Sequence, residues 1–464
     1  MGRRPDPHHR GARVPQLAQR HALAVANIPP PPTLPAERAN LLDEQTARDR
    51  AARSFLRPAT GLAALSRLYH ANGFYSEALQ CYDGLRRLEP REARWPHLES
   101  SILAEFGRLE EALPLRERTI ALAPHYLPAW LLLGDVQLKL NRGAEATQAY
   151  DRALALDSGD GYARLGLARC ALARGDWAKA EEQLRLALQS HPDFVGALSL
   201  LVTVSEHQGE QAAAARRTIS GREFSDLPDA WLDALMDDCF DAYRLSVASA
   251  IASASGDLDR AAQRLDRAIA LDPNAGSYRR QEAQLLTRQG NVTLARSQLE
   301  QAVRFTPDDA DSWLLLVQNL AGTGDAAGAE STLLRGLALC PQSPSLHLER
   351  ARQFNRAGHA VEAIAEYRES CRLRPNEPAP FVELANVLFA NQHMPEAKAV
   401  LLEALQKQSD NPVTLATLAL VAVSEGDAAG AAQWWSRLLQ VNAPTQVLDS
   451  VRQGYAQRFG RNLD

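Results

Sequence analysis

The sequence predicts an all-α protein, a right-handed solenoid of about eleven helix-turn-helix repeats with helical caps. Three marks recur along the 464 residues with a period of 34. Alanine occupies one position in all eleven windows, glycine precedes it by five residues in nine of them, and proline follows it by twelve residues in seven. A repeat of this length is typical of short helical units that bury their apolar faces against neighbouring units. The alanines are Ala78, Ala112, Ala146, Ala180, Ala214, Ala261, Ala295, Ala329, Ala363, Ala397 and Ala431.

Each mark has a physical cause that fits a helical hairpin. Glycine adopts the left-handed conformation that ends a first helix. The residue after it is often aspartate, as at Asp176, Asp257, Asp325 and Asp427, and aspartate caps a second helix by accepting from its free N–H groups. Proline cannot continue that second helix. The small alanine allows the two helices to approach closely, so we expect it to be buried.

One window carries a recognisable signature. Trp130, Leu133 and Gly134 are followed by Ala146, Tyr150 and Ala153, although Gln137 stands where the signature has a tyrosine. This pattern resembles the tetratricopeptide repeat, and the resemblance extends over residues 59–445. It implies a helical solenoid that binds other proteins. The repeats are predicted to start at residues 59, 93, 127, 161, 195, 242, 276, 310, 344, 378 and 412.

The remaining segments complete a predicted domain plan. Residues 1–33 are interpreted as a disordered tail rich in basic residues and proline, and 34–58 as an N-terminal capping helix. The first repeat block, 59–228, has five repeats and the second, 242–445, has six. Between them, the 13-residue insertion 229–241 breaks the register, and it is predicted to extend the following helix backwards to about Pro228. Residues 446–464 are predicted to form a C-terminal capping helix.

Composition excludes several classes of protein. The net charge is −5, which gives no global signal for binding nucleic acid. No apolar run reaches the length of about 18 residues that spans a membrane. The five cysteines lie far apart without a C-x-x-C pair, which favours free thiols. We therefore expect a cytoplasmic protein, or an exported one if Ala22–Ala26 is the end of a wrongly started signal peptide.

Nothing in the sequence indicates catalysis, a cofactor or a metal. The glycine-rich stretch Gly322–Gly328 resembles a dinucleotide-binding loop, but helical apolar spacing precedes it, so it is interpreted as a repeat turn. His8 and His9 have no partner at the spacing of metal ligands. The segments outside the repeats are too short to form the core of a catalytic domain. The expectation is a protein that is not an enzyme.

The family resemblance also implies a binding site, because tetratricopeptide proteins line a concave groove with the first helix of each repeat. Several of the groove positions named below hold arginine. Arginine presents a planar fork that suits carboxylates, so the groove is expected to bind an acidic or C-terminal peptide. The alternative is solvated arginines that pair with nearby glutamates. Leu315 stands where the carboxylate clamp of chaperone-binding members has asparagine, which argues against that specificity. Carried onto this sequence, the groove positions are Arg67, Arg280, Gln284, Arg288, Gln318, Arg352, Asn355 and Arg356.

The insertion offers a second candidate surface, because aspartate recurs there at every fourth residue. Asp229, Asp233, Asp237 and Asp241 are interpreted as a solvated acidic surface that could bind a cation or a basic partner, with a hinge at the insertion as a further interpretation. The function expected is a non-catalytic scaffold that holds a protein or peptide segment in the concave groove. The alternative is a structural or adaptor component of a bacterial-type envelope, export or secretion assembly, acting through its outer surface and ends. The sequence leaves the oligomeric state open.

Overall fold

The computed structural model describes residues 13–34, 38–207, 227–408, 410–441, 443–461 and 463, and these residues are all-α. They fall into two compact units. Unit 1 comprises the described residues up to 207 together with 227–271, and unit 2 comprises those from 272 onward. The division lies after Leu271 and not at the insertion, so the sixth helical pair belongs to unit 1.

Unit 1 is built from consecutive antiparallel helical pairs. The second helix predicted for the fifth repeat, with Ala214, lies outside the described residues. The helices are α1 (Arg13–Ala26), α2 (Ala39–Ala52), α3 (Pro58–Ala71), α4 (Tyr75–Leu88), α5 (Arg94–Glu105), α6 (Leu109–Leu122), α7 (Leu127–Lys139), α8 (Gly143–Leu156), α9 (Gly161–Ala173), α10 (Trp177–Ser190), α11 (Val195–His207), the short α12 (Ala230–Asp233), α13 (Ala242–Ala254) and α14 (Leu258–Leu271).

Unit 2 continues the same pattern of pairs with a single helix at its end. Its helices are α15 (Gly276–Arg288), α16 (Val292–Phe305), α17 (Ala310–Gly322), α18 (Ala326–Leu339), α19 (Pro344–Arg356), α20 (Ala360–Leu373), α21 (Pro378–Ala390), α22 (Met394–Lys407), α23 (Pro412–Glu425), α24 (Ala428–Gln440) and α25 (Thr445–Phe459). The last helix packs on α23 and α24. It buries Val451 and Tyr455, which belong to the apolar stripe predicted for a capping helix.

Close packing explains the periodic alanine. In both units every landmark alanine within the described residues is buried, at no more than 2% exposure. Tyr82, Tyr150 and Tyr367 fill the space beside this contact, and each hydroxyl has a polar partner. In the third repeat a Cβ at Gly134 would lie 2.7 Å from the ring of Tyr150, so that position requires glycine. The predicted all-α fold of stacked helical pairs is confirmed.

The turn between the paired helices requires a left-handed residue at one fixed position. Glycine occupies it in most repeats with φ between 72° and 86°. Asn141 and Gln392 occupy it in two others, with φ of 59° and 67°. The predicted capping role of the following aspartate is confirmed, since Asp176 accepts a hydrogen bond from the backbone N–H of Lys179, and Asp257, Asp325 and Asp427 make the equivalent bonds.

The prediction of a disordered tail over residues 1–33 is wrong for its described part. Helix α1 packs against α3 and α4, and Ala24 is fully buried. The reason is a close approach at Gly84, where a Cβ would meet the Cβ of Asn27 at 2.5 Å. Residues 1–12 lie outside the described residues. Helix α2 packs on α3 as predicted for the cap, although it starts at Ala39.

The prediction that the insertion extends the next helix is also wrong. Asp229 caps the single turn of α12 by accepting from the backbone N–H groups of Trp231 and Leu232. The chain then tightens into a 3-10 helix, Ala234–Asp238, becomes extended at Cys239, and begins α13 with Asp241 as a new cap. Aspartate side chains compete with the helix for backbone N–H groups, and like charges four residues apart disfavour a continuous helix.

Candidate functional site

The predicted groove residues of unit 2 lie on the first helices of three successive repeats. Arg280, Gln284 and Arg288 lie on α15, Gln318 on α17, and Arg352, Asn355 and Arg356 on α19. The three amide residues are exposed, as are Arg288 and Arg356. A polar set thus faces solvent along successive repeats.

Three of the unit 2 arginines already pair with acidic residues of the same unit. The guanidinium Nε of Arg280 lies 3.0 Å from the carboxylate of Asp309. Arg352 donates two hydrogen bonds, of 2.9 and 2.6 Å, to Glu383, and this bond with the carboxylate charge raises the pKa of Arg352. Arg356 donates to Glu349 at 3.0 Å. The interpretation of arginines paired with nearby acids therefore describes these three residues.

A cavity of about 1100 Å³ lies between α17, α18 and α19. Of the predicted groove residues, it brings together Gln318 and Arg356. Leu333, Leu334 and Phe354 give it an apolar wall, and Leu334 is 45% exposed. Glu330, Glu349, Arg350 and His359 add polar groups. Sequence positions alone gave no indication of this cavity, because five of its fourteen lining residues come from α18, a second helix.

Arg67, the predicted groove residue of unit 1, is engaged by the insertion. Its Nε donates to Asp238 at 2.7 Å, and Arg48 of α2 donates to the other oxygen of that carboxylate at 2.6 Å. Asn72 donates from Nδ2 to the backbone carbonyl of Asp238 and accepts from the backbone N–H of Phe240. We call residues 227–241 the insertion segment; its C-terminal half lies on α3.

The N-terminal half of the insertion segment lies on α5 and the start of α7. The carboxylate of Asp229 accepts from Nε2 of His97 at 2.6 Å and from the hydroxyl of Tyr126 at 2.7 Å. Trp231 stacks on the ring of Tyr126 with centroids 3.7 Å apart. These hydrogen bonds outweigh the burial that opposes ionisation, so the pKa of Asp229 is lowered. Burial lowers the pKa of His97, whose Nδ1 lies buried without a hydrogen-bond partner.

The four periodic aspartates therefore do not form one solvated acidic surface. Asp229 is buried, Asp233 pairs with Arg260 and Arg264 of α14, and Asp241 pairs with Arg38 while capping α13. Asp237 is exposed, whereas its buried neighbour Asp238 forms ion pairs with Arg48 and Arg67. The basic groups that these aspartates meet belong to the same unit.

Sequence reasoning missed His97, Tyr126, Asn72 and Arg48. His97 is the fifth residue of its predicted repeat, as the groove residue Arg280 is of its own, so this shared position could have identified it from the sequence. The other three carry no such signal, because their roles depend on how the insertion segment folds back.

Other kinds of site were also considered in the part of the chain that the structure describes. No helix there is both long enough and apolar enough to cross a membrane. No group of three or more histidine, cysteine, aspartate or glutamate residues there is placed to hold a metal ion. All five cysteines are free thiols, and four of them are buried.

Comparison with known families finds matches to two models of repeats. A model described as the Cytochrome c-type biogenesis protein H TPR domain matches residues 110–219. A tetratricopeptide repeat model matches residues 63–126 and 251–310.

Two curated proteins are similar to part of the chain. It is 33% identical over 131 residues to the Protein CTR9 homolog of Arabidopsis thaliana, covering 27% of this chain and 12% of that protein. It is 26% identical over 178 residues to the Protein O-mannosyl-transferase TMTC1 of Homo sapiens, covering 37% of this chain and 20% of that protein. The chain thus spans only a small part of each. Among solved structures, yeast Tom70 aligns with 86% of this chain and 96% of its own at 14% identity, with a TM-score of 0.40.

Proposed function

We propose that this chain, a tetratricopeptide repeat protein, is a non-catalytic scaffold that binds a segment of a partner protein at the cavity between α17, α18 and α19 of unit 2. The observation that carries the proposal is the exposed Leu334 beside Phe354 and Arg356 in a cavity of about 1100 Å³. An apolar cleft of this size with a few polar groups is typical of a ligand site.

The chemistry of the cavity indicates what the partner segment carries. An apolar side chain packs against Leu334 and Phe354, and an acidic side chain approaches Arg356. Arg356 has a side chain that is 64% exposed and pairs with Glu349. A guanidinium carries several N–H donors, so Arg356 can bind a ligand carboxylate while it keeps its contact with Glu349. Because neighbouring repeats hold the surface rigid, little entropy is lost on binding.

Affinity purification with a matched pair of variants tests the proposal. Leu334→Glu places a charge in the cavity, and Leu294→Glu places the same charge on another exposed leucine of unit 2, which does not line it. We expect partners that the parent chain and Leu294→Glu retain to be lost from Leu334→Glu, with all three chains equally folded by circular dichroism. Equal retention by all three would place binding elsewhere.

A second candidate is a role in assembling c-type cytochromes, and the family model that matches residues 110–219 favours it. Such a role agrees with the envelope or export adaptor expected as the alternative. Deleting the gene and staining for covalently bound haem tests it, together with fractionation of the tagged chain. Loss of c-type cytochromes and a chain found at the envelope would support this role; unchanged cytochromes would refute it.

A further inference from the structure

The insertion segment crosses three repeats of unit 1 in the reverse of their order along the chain. Leu227 packs with the apolar cluster of α7, α8 and α9. Asp229 then reaches α5 at His97, and Asp238 reaches α2 and α3 at Arg48 and Arg67. A peptide ligand that lies across the first helices of a repeat array makes contacts of this kind. Here the ligand belongs to the chain itself.

The contacts at the Asp229 end form a built carboxylate site. Two hydrogen-bond donors from opposite ends of the second predicted repeat, His97 and Tyr126, converge on one carboxylate. Arg116 of α6 is buried and places its positive charge near Asp229, while its Nε and one Nη lie buried without hydrogen-bond partners. A buried guanidinium is costly unless negative charges compensate it, and Asp229 of the insertion segment compensates Arg116 more than Asp135 does.

At the Asp238 end, the first-helix face of unit 1 contacts both a charged side chain and the backbone of the insertion segment. Arg48 and Arg67 bind the two carboxylate oxygens separately, and the Asp238 side chain is only 7% exposed. The amide of Asn72 pairs with a backbone carbonyl and a backbone N–H two residues apart. An amide bound in this way recognises any peptide in the same extended conformation, because it contacts no side chain.

Helix α14 holds the other side of the insertion segment. Arg264 pairs with Asp233, and Arg267 donates to the backbone carbonyls of Met236 and Cys239 at 2.7 Å each. Most of the polar contacts of the segment are thus ion pairs and hydrogen bonds to arginines. Burial of apolar side chains is limited to a few residues, among them Leu235 and Cys239. This composition is closer to a ligand interface than to a helical core.

We propose that the first-helix face of unit 1 is a binding site for an acidic aromatic peptide, and that the insertion segment is its resident, separable ligand. The site takes two carboxylates nine residues apart with an aromatic ring just after the first. The segment closes this face to other peptides of that class while it is bound. The proposal goes beyond the binding function assigned to unit 2 and does not depend on it.

The thiol of Cys239 reports whether the insertion segment opens separately from unit 1. Cys239 belongs to the segment and is fully buried, and Cys81 and Cys170 are fully buried in the repeats of the same unit. The full chain is labelled with iodoacetamide and each thiol is followed by mass spectrometry. Asp238→Ala removes the contacts to Arg48 and Arg67, and Asp237→Ala is the matched control at an exposed neighbour.

We expect Asp238→Ala to raise the labelling rate of Cys239 at least about 10-fold, because hydrogen bonds to charged groups are lost from the closed state only. Cys81 and Cys170 are expected to react at least about 10-fold more slowly than Cys239 in Asp238→Ala, because they become accessible only when the repeats unfold. All rates in Asp237→Ala are expected to stay within about twofold of the parent chain. If the three thiols become reactive together, by partial or complete unfolding, the segment is part of the core and the proposal is overturned.

A labelled synthetic peptide of residues 227–241 tests the ligand character directly. By fluorescence anisotropy, we expect it to bind Asp238→Ala at least about 10-fold more tightly than the parent chain, where the linked segment competes at an effective concentration of about 1 mM. A peptide with alanine at both carboxylate positions should not bind. Equal affinity for the two chains, or no binding to either, would refute a separable ligand. Leu334→Glu should leave these results unchanged, which keeps this test apart from that of unit 2.

Discussion

The arginines of the first-helix faces pair with different kinds of acidic residue in the two units. In unit 2, Arg280, Arg352 and Arg356 pair with acids of the same or neighbouring repeats and the surface stays open. In unit 1, Arg67 and Arg48 pair with Asp238, which lies 171 and 190 residues away from them in sequence. The comparison shows that an arginine at a groove position does not by itself indicate an external ligand. Whether such an arginine is available to an external ligand depends on the carboxylate that already pairs with it in the folded chain.

The largest expected effect comes from removing the buried carboxylate of unit 1. Asp229→Ala leaves His97, Tyr126 and the buried Arg116 without their shared anion. Breaking a buried charged network by removing one partner costs about 3–5 kcal/mol. The free energy of unfolding of unit 1 can be measured in urea by pulse labelling of Cys81 and Cys170. Asp237→Ala, at an exposed site, should change it by less than about 0.5 kcal/mol; similar values for both variants would contradict the account.

A pair of arginine substitutions sharpens the comparison between the faces. Arg48 is 17% exposed and bonds to a buried carboxylate, whereas Arg352 is 39% exposed and its partner Glu383 is partly exposed. We expect Arg48→Gln to destabilise unit 1 by about 2 kcal/mol and Arg352→Gln to destabilise unit 2 by about 1 kcal/mol or less. Cys371, which is buried in unit 2, reports the second value. An equal loss of unfolding free energy in both variants would mean that burial by the insertion segment does not strengthen the ion pair between Arg48 and Asp238.

Acid should weaken unit 1 through its buried histidines. Burial, with the nearby charge of Arg244, lowers the pKa of His70 to about 3, and its Nδ1 accepts from the hydroxyl of Tyr82. The unfolded chain binds a proton near its ordinary pKa of about 6.5, and the folded chain does not. The contribution of His70 to the free energy of unfolding is therefore fully present above about pH 6.5. It falls by up to about 1.4 kcal/mol per pH unit as the pH is lowered toward pH 3.

Substituted histidines separate this contribution from other acid effects. His70→Phe should remove about one proton from the pH dependence of unit 1 unfolding. His97, whose pKa is also lowered, should keep part of the slope. The exposed His125 provides the control, and His125→Gln should leave the slope unchanged. A parent chain with no pH dependence between pH 6.5 and 4.5 would refute this assignment.

The smallest expected effect concerns the repeat turns. Gln392 adopts a left-handed φ of 67° in unit 2, at the position where most repeats have glycine. Gln392→Gly should stabilise unit 2 by about 0.5–1 kcal/mol, because a side chain in this conformation is strained. Asn141→Gly in unit 1 should gain less, since asparagine tolerates the left-handed region. Thermal unfolding followed by labelling of Cys371 and Cys81 measures the two changes; a loss of stability in Gln392→Gly would contradict the turn assignment.

Local physical rules made most of the fold predictable from sequence. The alanine, glycine and aspartate of each repeat act within one hairpin, so their period was enough to identify paired helices and the tetratricopeptide family. The prediction was wrong where contacts between residues far apart in the sequence determine the local structure. The apolar residues of 229–241 do have helical spacing. The hydrogen bond between Asn72 and the backbone of Asp238 forms only in the folded unit, so the spacing could not indicate it. The tail was interpreted from its prolines and charges, which do not reveal that Asn27 fits against Gly84. The cavity beside Leu334 requires two repeats in place.

Site-specific crosslinking tests the central contrast between an open and a closed face most directly. Gln318 and Ser101 are both the ninth residue of a predicted repeat, one in unit 2 and one in unit 1 near His97. A photoreactive amino acid is placed at each in turn in the full chain, and adducts formed in cells are identified by mass spectrometry. The account predicts adducts with a partner protein from position 318, and only intramolecular adducts with the insertion segment from position 101. Partner adducts of equal yield from both positions would contradict it.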